Sequence, residues 1–133
     1  MELYEKSSKI WKQLADAYPE NPDYKKGLSF SLYKVAVLYE ILGGRENREI
    51  SLKMIKRALE ISEQLAAEHE TISAHYDLAA NLYNVAMHEM TPAKEKKPLL
   101  ERALKIAQML LDETQEDSYR SFVDLITSEL KSL

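Results

Sequence analysis

Met54 to Ala66 reads MIKRALEISEQLA, and Leu99 to Leu111 reads LLERALKIAQMLL. Arg57-Ala58-Leu59 and Ile61 of the first stretch return as Arg102-Ala103-Leu104 and Ile106 of the second. A third stretch, Leu3 to Ala15 (LYEKSSKIWKQLA), shares Ile10, Gln13, Leu14 and Ala15 with Ile61, Gln64, Leu65 and Ala66. Between these copies another segment recurs: Leu32-Tyr33-Lys34-Val35-Ala36 is matched by Leu82-Tyr83-Asn84-Val85-Ala86. The chain therefore alternates two kinds of segment in the order B, A, B, A, B, A, with a period of about 45 to 51 residues. Apolar residues recur within each at intervals of three and four, the helical period. Such units cannot bury an apolar stripe alone, and stacking them buries a continuous core. Small residues at fixed places, Ala36, Ala58, Ala86 and Ala103, let two helix backbones approach while Leu and Ile fill the flanks.

Punctuation places the helices at about 3–18, 22–42, 47–68, 71–90, 92–113 and 117–131. Pro19 and Asn21-Pro22 end the first. Asn21 is expected to cap the second, with Pro22 at its first position, where a missing N–H is harmless. Gly43-Gly44 should stop the second helix, since glycine accepts the left-handed conformation that closes one. Tyr24, Leu28, Leu32, Val35, Ala36 and Tyr39 form its apolar stripe. Leu52, Ile55, Ala58, Leu59, Ser62 and Leu65 form that of the third. Thr91-Pro92 repeats the cap-then-proline signal and should open the fifth helix. Pro98 either kinks that helix or starts it. Connections this short make consecutive helices antiparallel neighbours.

The chain has 133 residues, 45% apolar and 30% charged, with three glycines and four prolines. This is the composition of an ordinary helical domain, not of a disordered or turn-rich β chain. A net charge of −4 gives no electrostatic reason to hold a phosphate backbone, so nucleic acid is not expected as a partner. Lys94, Lys96 and Lys97, interrupted by Glu95, read as a solvated helix face. Without cysteine there is no disulfide, thiolate metal site or cysteine nucleophile. No apolar run approaches the roughly 20 residues that span a bilayer, and Met1 to Glu5 lack the basic-then-apolar order of a secretory leader. A cytoplasmic chain with no membrane association is the expectation.

The pattern resembles the tetratricopeptide-repeat family over nearly the whole chain. The second unit carries Leu32, Val35, Ala36 and Tyr39, then Ser51, Ile55, Ala58 and Leu59 at the family's positions. The third carries Leu82, Val85, Ala86 and Glu89, then Lys96, Leu100, Ala103 and Leu104. It looks like the long-repeat bacterial variety, in which a B helix ending Leu-Ala precedes a Pro-x-Asn-x-x-Tyr segment. Leu14-Ala15 and Pro19-Glu20-Asn21-Pro22-Asp23-Tyr24 match that. The family's Trp and Gly are Leu and Ala here, Glu89 and Lys96 depart from the pattern, and other paired-helix solenoids share the spacing. The resemblance implies one all-α domain over residues 1–133, a right-handed stack of antiparallel helix hairpins. Because Met1 to Ala15 aligns with a B helix, the chain would begin partway into a repeat. It is expected to be a fragment of a longer array or to use its first helix as a cap.

No residue set for catalysis stands out. His69, His75 and His88 have no metal-ligand spacing, Gly43-Gly44 lacks the Lys-Ser or Lys-Thr of a phosphate loop, and no nucleophile–base–acid set is present. Neither an enzyme nor a cofactor or metal is expected. Trp11 is assigned to core or inter-repeat packing. Tyr33 and Tyr83 occupy equivalent places, which in the family face the concave groove. They either pack between repeats with wet hydroxyls or line a peptide groove. The family's carboxylate clamp of Lys and Asn meets Tyr33 and Val37, then Tyr83, Asn84 and Met87, and only Asn84 resembles it. Phe30, Tyr33, Val37 and Ile41 share one face of the second helix, beside the core stripe. Tyr83 and Met87 repeat this on the fourth. The candidate groove is thus Phe30, Tyr33, Val37, Ile41, Tyr83, Asn84 and Met87, and the expected occupant is a segment of another protein. A self-assembly module, such as a homodimer or a part packed within a longer chain, is the alternative. An enzyme with dispersed residues and an RNA-binding repeat follow behind it.

Overall fold

Six segments close their backbone hydrogen bonds as α-helices in a computed structural model, which describes residues 2–133. They are α1 (Glu2–Ala17), α2 (Pro22–Leu42), α3 (Arg45–Glu68), α4 (Ile72–Met87), α5 (Ala93–Thr114) and α6 (Asp117–Lys131). Helix accounts for 86% of the chain, and no strand occurs among the described residues. Met1, where the aligned B-type opening begins, lies outside them. The chain divides into two units, Met1–His69 and Glu70–Leu133.

In the first unit α2 lies between α1 and α3. Asn21 starts it as expected: its Oδ1 accepts the Asp23 N–H at 3.0 Å, and Pro22 takes the first helical position. Gly43 ends it at φ 74, with its N–H donating to the Tyr39 and Glu40 carbonyls. The helices run antiparallel, as their pairings show. Glu5 meets Tyr39, Ser7 meets Ser31 and Trp11 meets Gly27 along α1 and α2. Between α2 and α3, the Ser51 hydroxyl donates to the Ala36 carbonyl at 2.8 Å and the Ser29 hydroxyl to the Ala58 carbonyl at 3.2 Å. All four of these residues are buried. The alanines bring the backbones close, and the serines satisfy hydroxyls that burial would otherwise penalise. Leu28, Leu32 and Ala58 form the centre of this core, with Trp11, Met54 and Ile61 packed against it.

Trp11 also fixes how α1 sits on α2. A methyl group at Gly27 would come within 2.6 Å of the indole Cδ2 and Cε3. Tyr24, one turn earlier, stacks obliquely on the same indole at 6.3 Å, and Tyr18 on Tyr24 at 5.7 Å. Gly27 is therefore a helix-interior glycine retained for close approach, not for a turn.

The second unit packs α5 against α4 and α6. Its core includes Leu82, Leu100, Leu110 and Ile126, all fully buried. Thr71 caps α4 by accepting the Ala74 N–H at 3.1 Å. Helix α4 ends at Met87, three residues before the expected stop, and the reason lies in the hairpin. Ala36 and Ser51 are 15 positions apart, but their counterparts Ala86 and Lys96 are only 10 apart. The missing residues come out of the end of the A helix, which has 16 residues against the 21 of α2. Without a glycine pair to close it, α4 is closed by side chains. The Thr91 hydroxyl donates to the Val85 carbonyl at 2.6 Å, and the Lys96 ammonium donates to the Ala86 and His88 carbonyls at 3.1 Å each. Buried His88 accepts the Met90 N–H on Nδ1 at 3.1 Å.

Two expectations change accordingly. Thr91 closes α4 instead of opening α5. Lys96 is not part of a solvated lysine face, although Lys94 and Lys97 are exposed; it completes a helix C-terminus, where a cation also complements the dipole. Helix α5 begins at Ala93 and runs through Pro98. The bond Pro98 cannot make is to Lys94 in the first turn, and both residues are exposed, so water can take that carbonyl.

Two outcomes test these packings. Gly27→Ala should destabilise the chain by about 1–3 kcal/mol, against the gain of roughly 0.5–1 kcal/mol that a glycine-to-alanine change brings in an open helix. In a Trp11→Leu background the same change should become neutral or stabilising; urea unfolding measures both. Lys96→Met should cost about 1–2 kcal/mol, because two carbonyls lose their donor; equal midpoints for variant and parent would show that the cap is inert.

Candidate partner-binding face of α2

Within the first unit, α1 and α3 cover two sides of α2 and leave a third. Phe30, Tyr33, Lys34, Val37 and Ile41 fall on that remaining side, at intervals of three, four and seven along the helix. Phe30 is 60% exposed and Ile41 74%. Tyr33 and Val37 are half-buried. These four apolar residues thus lie along one side of the helix. Lys34, which the sequence reading left out, stands in the middle of it. Its Nζ lies 5.2 Å from the centre of the Phe30 ring and 5.9 Å from that of Tyr33, within range of both π faces. The spacing of an aromatic and a lysine four apart on a helix is the signal that would have found it.

The remaining candidates lie on α4 in the second unit. Met87 is 41% exposed and Asn84 half-buried. Tyr83, although equivalent to Tyr33 in sequence, is differently placed. Its ring meets Phe122 of α6 edge-on at 5.8 Å. Tyr76 meets the same Phe122 at 6.0 Å and Tyr119 at 5.8 Å, so α4 and α6 share a run of rings. Burial raises the Tyr83 pKa above 10.0, and the Glu129 carboxylate adds to the shift. Burial also raises Tyr119, with help from Glu116 and Tyr76. Tyr39, at the other end of the α1–α2 contact, donates its hydroxyl to Glu5 at 2.9 Å. That hydrogen bond to an anion is the largest cause of its raised pKa, followed by burial and the carboxylate's charge.

The histidines are dispersed. His69 closes α3 through its own N–H to the Leu65 carbonyl, His75 Nδ1 lies 2.9 Å from the Thr71 carbonyl, and His88 belongs to the α4 cap. Among the described residues no group of three His, Asp or Glu is placed to hold a metal, and no helix is long and apolar enough to cross a membrane. No family model, no curated protein and no solved structure matches the chain.

The tyrosines give a measurable consequence. A phenol whose pKa is raised by folding contributes stability below its unfolded value, near 10, and loses it as pH climbs through the raised value. Stability should therefore fall above about pH 10. Absorbance titration near the phenolate band should show Tyr39, Tyr83 and Tyr119 ionising late. Glu5→Gln should return Tyr39 alone towards 10, and a titration unchanged by that substitution would count against the Tyr39–Glu5 bond.

Proposed function

We propose that this chain is a protein-interaction module of the tetratricopeptide-repeat kind, which receives a segment of a partner protein on its A-type helices. In this reading α1 to α6 are the B, A, B, A, B, A members of a right-handed stack of antiparallel hairpins, working as a cytoplasmic scaffold and not as an enzyme. The sequence repeat supports it, as do the buried alanines Ala36, Ala58, Ala86 and Ala103 at the points where A and B helices meet.

The observation that carries the binding role is the open stripe of α2. This helix already buries Leu28, Leu32, Val35 and Ala36 on its other sides. Phe30 and Ile41 nevertheless stand exposed, with half-buried Tyr33 and Val37 between them. A contiguous apolar surface of that kind marks an interaction site more often than isolated exposed residues do. The mix of aromatic and aliphatic side chains suits hot-spot contacts. Tyr83, packed on Phe122, takes the inter-helix packing role in this reading, and Met87 remains as the adaptable contact on α4.

Self-assembly is the second reading, and α1 favours it. Leu3 is 80% exposed and Ile10 56%, seven residues apart on one face. Light scattering of the chain and of an Ile10→Asp variant separates the two readings, since only self-assembly gives a dimer that the substitution dissolves.

For the first reading, a partner is recovered by cross-linking in cells that express the chain and is then purified. Phe30→Asp with Ile41→Asp should weaken its binding tenfold or more, about 1.4 kcal/mol. The melting temperature should stay within about 2 °C, because both side chains are already exposed. Unchanged affinity would remove the α2 stripe from the binding surface.

A further inference from the structure

The turn between α1 and α2 borders a surface concavity of about 620 Å³, lined by Ala17, Tyr18, Pro19, Glu20, Asn21 and Tyr24. Its two rings are held in place. Tyr24 is half-buried and meets the Trp11 indole at 6.3 Å, and Tyr18, 59% exposed, meets Tyr24 at 5.7 Å. The backbone between them is fixed as well. The Asn21 N–H donates to the Tyr18 carbonyl at 3.0 Å, the Asn21 Oδ1 accepts the Asp23 N–H at 3.0 Å, and Pro19 and Pro22 restrict their own torsions. The repeat does not carry this pair of rings elsewhere. At the α3–α4 and α5–α6 turns the corresponding sequence places hold His69 with Ala74 and Thr114 with Tyr119.

The charges around the concavity have one sign. Its lining holds the exposed Glu20 carboxylate and no cation. From Gln13 to Tyr24 the sequence has Asp16, Glu20 and Asp23 and neither Lys nor Arg. Asp16 is neutralised by Lys12 at 2.9 Å, and Asp23 stands in the first turn of α2, where it offsets the positive end of that helix dipole. The negative end of the α1 dipole lies at Ala17, with no basic residue in the last turn. Ring faces, a carboxylate and a helix C-terminus all attract a cation and all repel an anion.

We propose that this concavity binds a methylated ammonium group, with its methyls on the Tyr18 and Tyr24 rings and its charge beside Glu20. No residue of the α2 stripe takes part. The kind of cation follows from the lining. A metal ion needs more ligands than one carboxylate, and no group of three His, Asp or Glu is placed to supply them among the described residues. A bare ammonium is strongly hydrated and loses that water on an aromatic face. A methylated one spreads its charge over carbons that pack on the rings, the recognised use of aromatic side chains for quaternary ammonium groups. A neutral apolar group of the same shape would cover the rings but would dehydrate Glu20 and return nothing to it. The group can come from a free compound such as choline or from a methylated lysine side chain.

The probe is choline, titrated into the whole chain at constant ionic strength with sodium chloride as the balancing salt, and followed by the ring resonances of Tyr18 and Tyr24. Saturable shifts confined to this turn are expected, with a Kd in the millimolar range. The neutral isostere of choline, with tert-butyl in place of trimethylammonium, should bind about fivefold to tenfold more weakly, the scale of cation–π attraction at two partly exposed rings. Tyr18→Leu should weaken choline to a similar degree, and Tyr18→Phe, which keeps the ring, should not. Glu20→Gln, at an exposed position where folding is not at stake, should weaken it about threefold. Acetylated, amidated trimethyllysine is titrated in parallel: tighter binding than choline assigns the site to a modified side chain, and weaker binding assigns it to a free compound. Equal affinity for choline and its isostere would overturn the proposal. So would equal losses in Tyr18→Leu and Tyr18→Phe, or the absence of saturable shifts up to about 50 mM choline.

Discussion

Each A helix and the B helix that follows it meet at alanine, and the two units are built outward from that contact. Ala36 and Ala58 in the first unit, like Ala86 and Ala103 in the second, are buried. Close approach has a consequence for hydrogen bonding. Carbonyls on facing helices come within reach of side-chain donors across the gap, and the donors chosen are short: Ser51 for Ala36, Ser29 for Ala58. Ser62 reaches the same Ala58 carbonyl from its own helix at 3.1 Å. Small residues and hydroxyls therefore act together, one setting the distance and the other using it.

The second unit keeps the contact and changes the donor. Its hairpin is shorter, so α4 stops early, and its last carbonyls lack the Gly43 N–H that covers Tyr39 and Glu40 at the end of α2. Lys96 stands where the first unit has Ser51. The longer side chain covers the Ala86 carbonyl and one more, that of His88. What looked in the sequence like a break in the repeat is thus the same interaction adapted to a shorter link.

This explains which features were legible in the amino-acid order. Caps and stops made by local chemistry were: Asn21-Pro22 and Gly43-Gly44 act within a few residues of themselves. The core alanines were legible because repetition exposed them. The end of α4 was not, because Thr91 bonds backwards to Val85 and Lys96 to Ala86, and a cap-then-proline pair reads the same whichever helix its hydroxyl serves. The divergence of Tyr33 and Tyr83 was hidden for a related reason. Their local sequences are alike, and what differs is Phe122, nearly forty residues beyond Tyr83 in the chain. Periodicity gathered Phe30, Tyr33, Val37 and Ile41 onto one stripe, but a scheme that scores only apolar residues passes over the lysine in its midst.

The contact between Trp11 and Gly27 carries a lesson about how such a chain can drift over generations. With the indole in place, any side chain at position 27 forces the indole or the helix to shift, so single-step changes there are disfavoured. Loss of the indole first would lift that restriction and leave a hollow that a new residue at 27 could fill. The two positions therefore form one heritable unit with a preferred order of change. In related chains a glycine at the second place should accompany a tryptophan at the first, and the pair should be lost together.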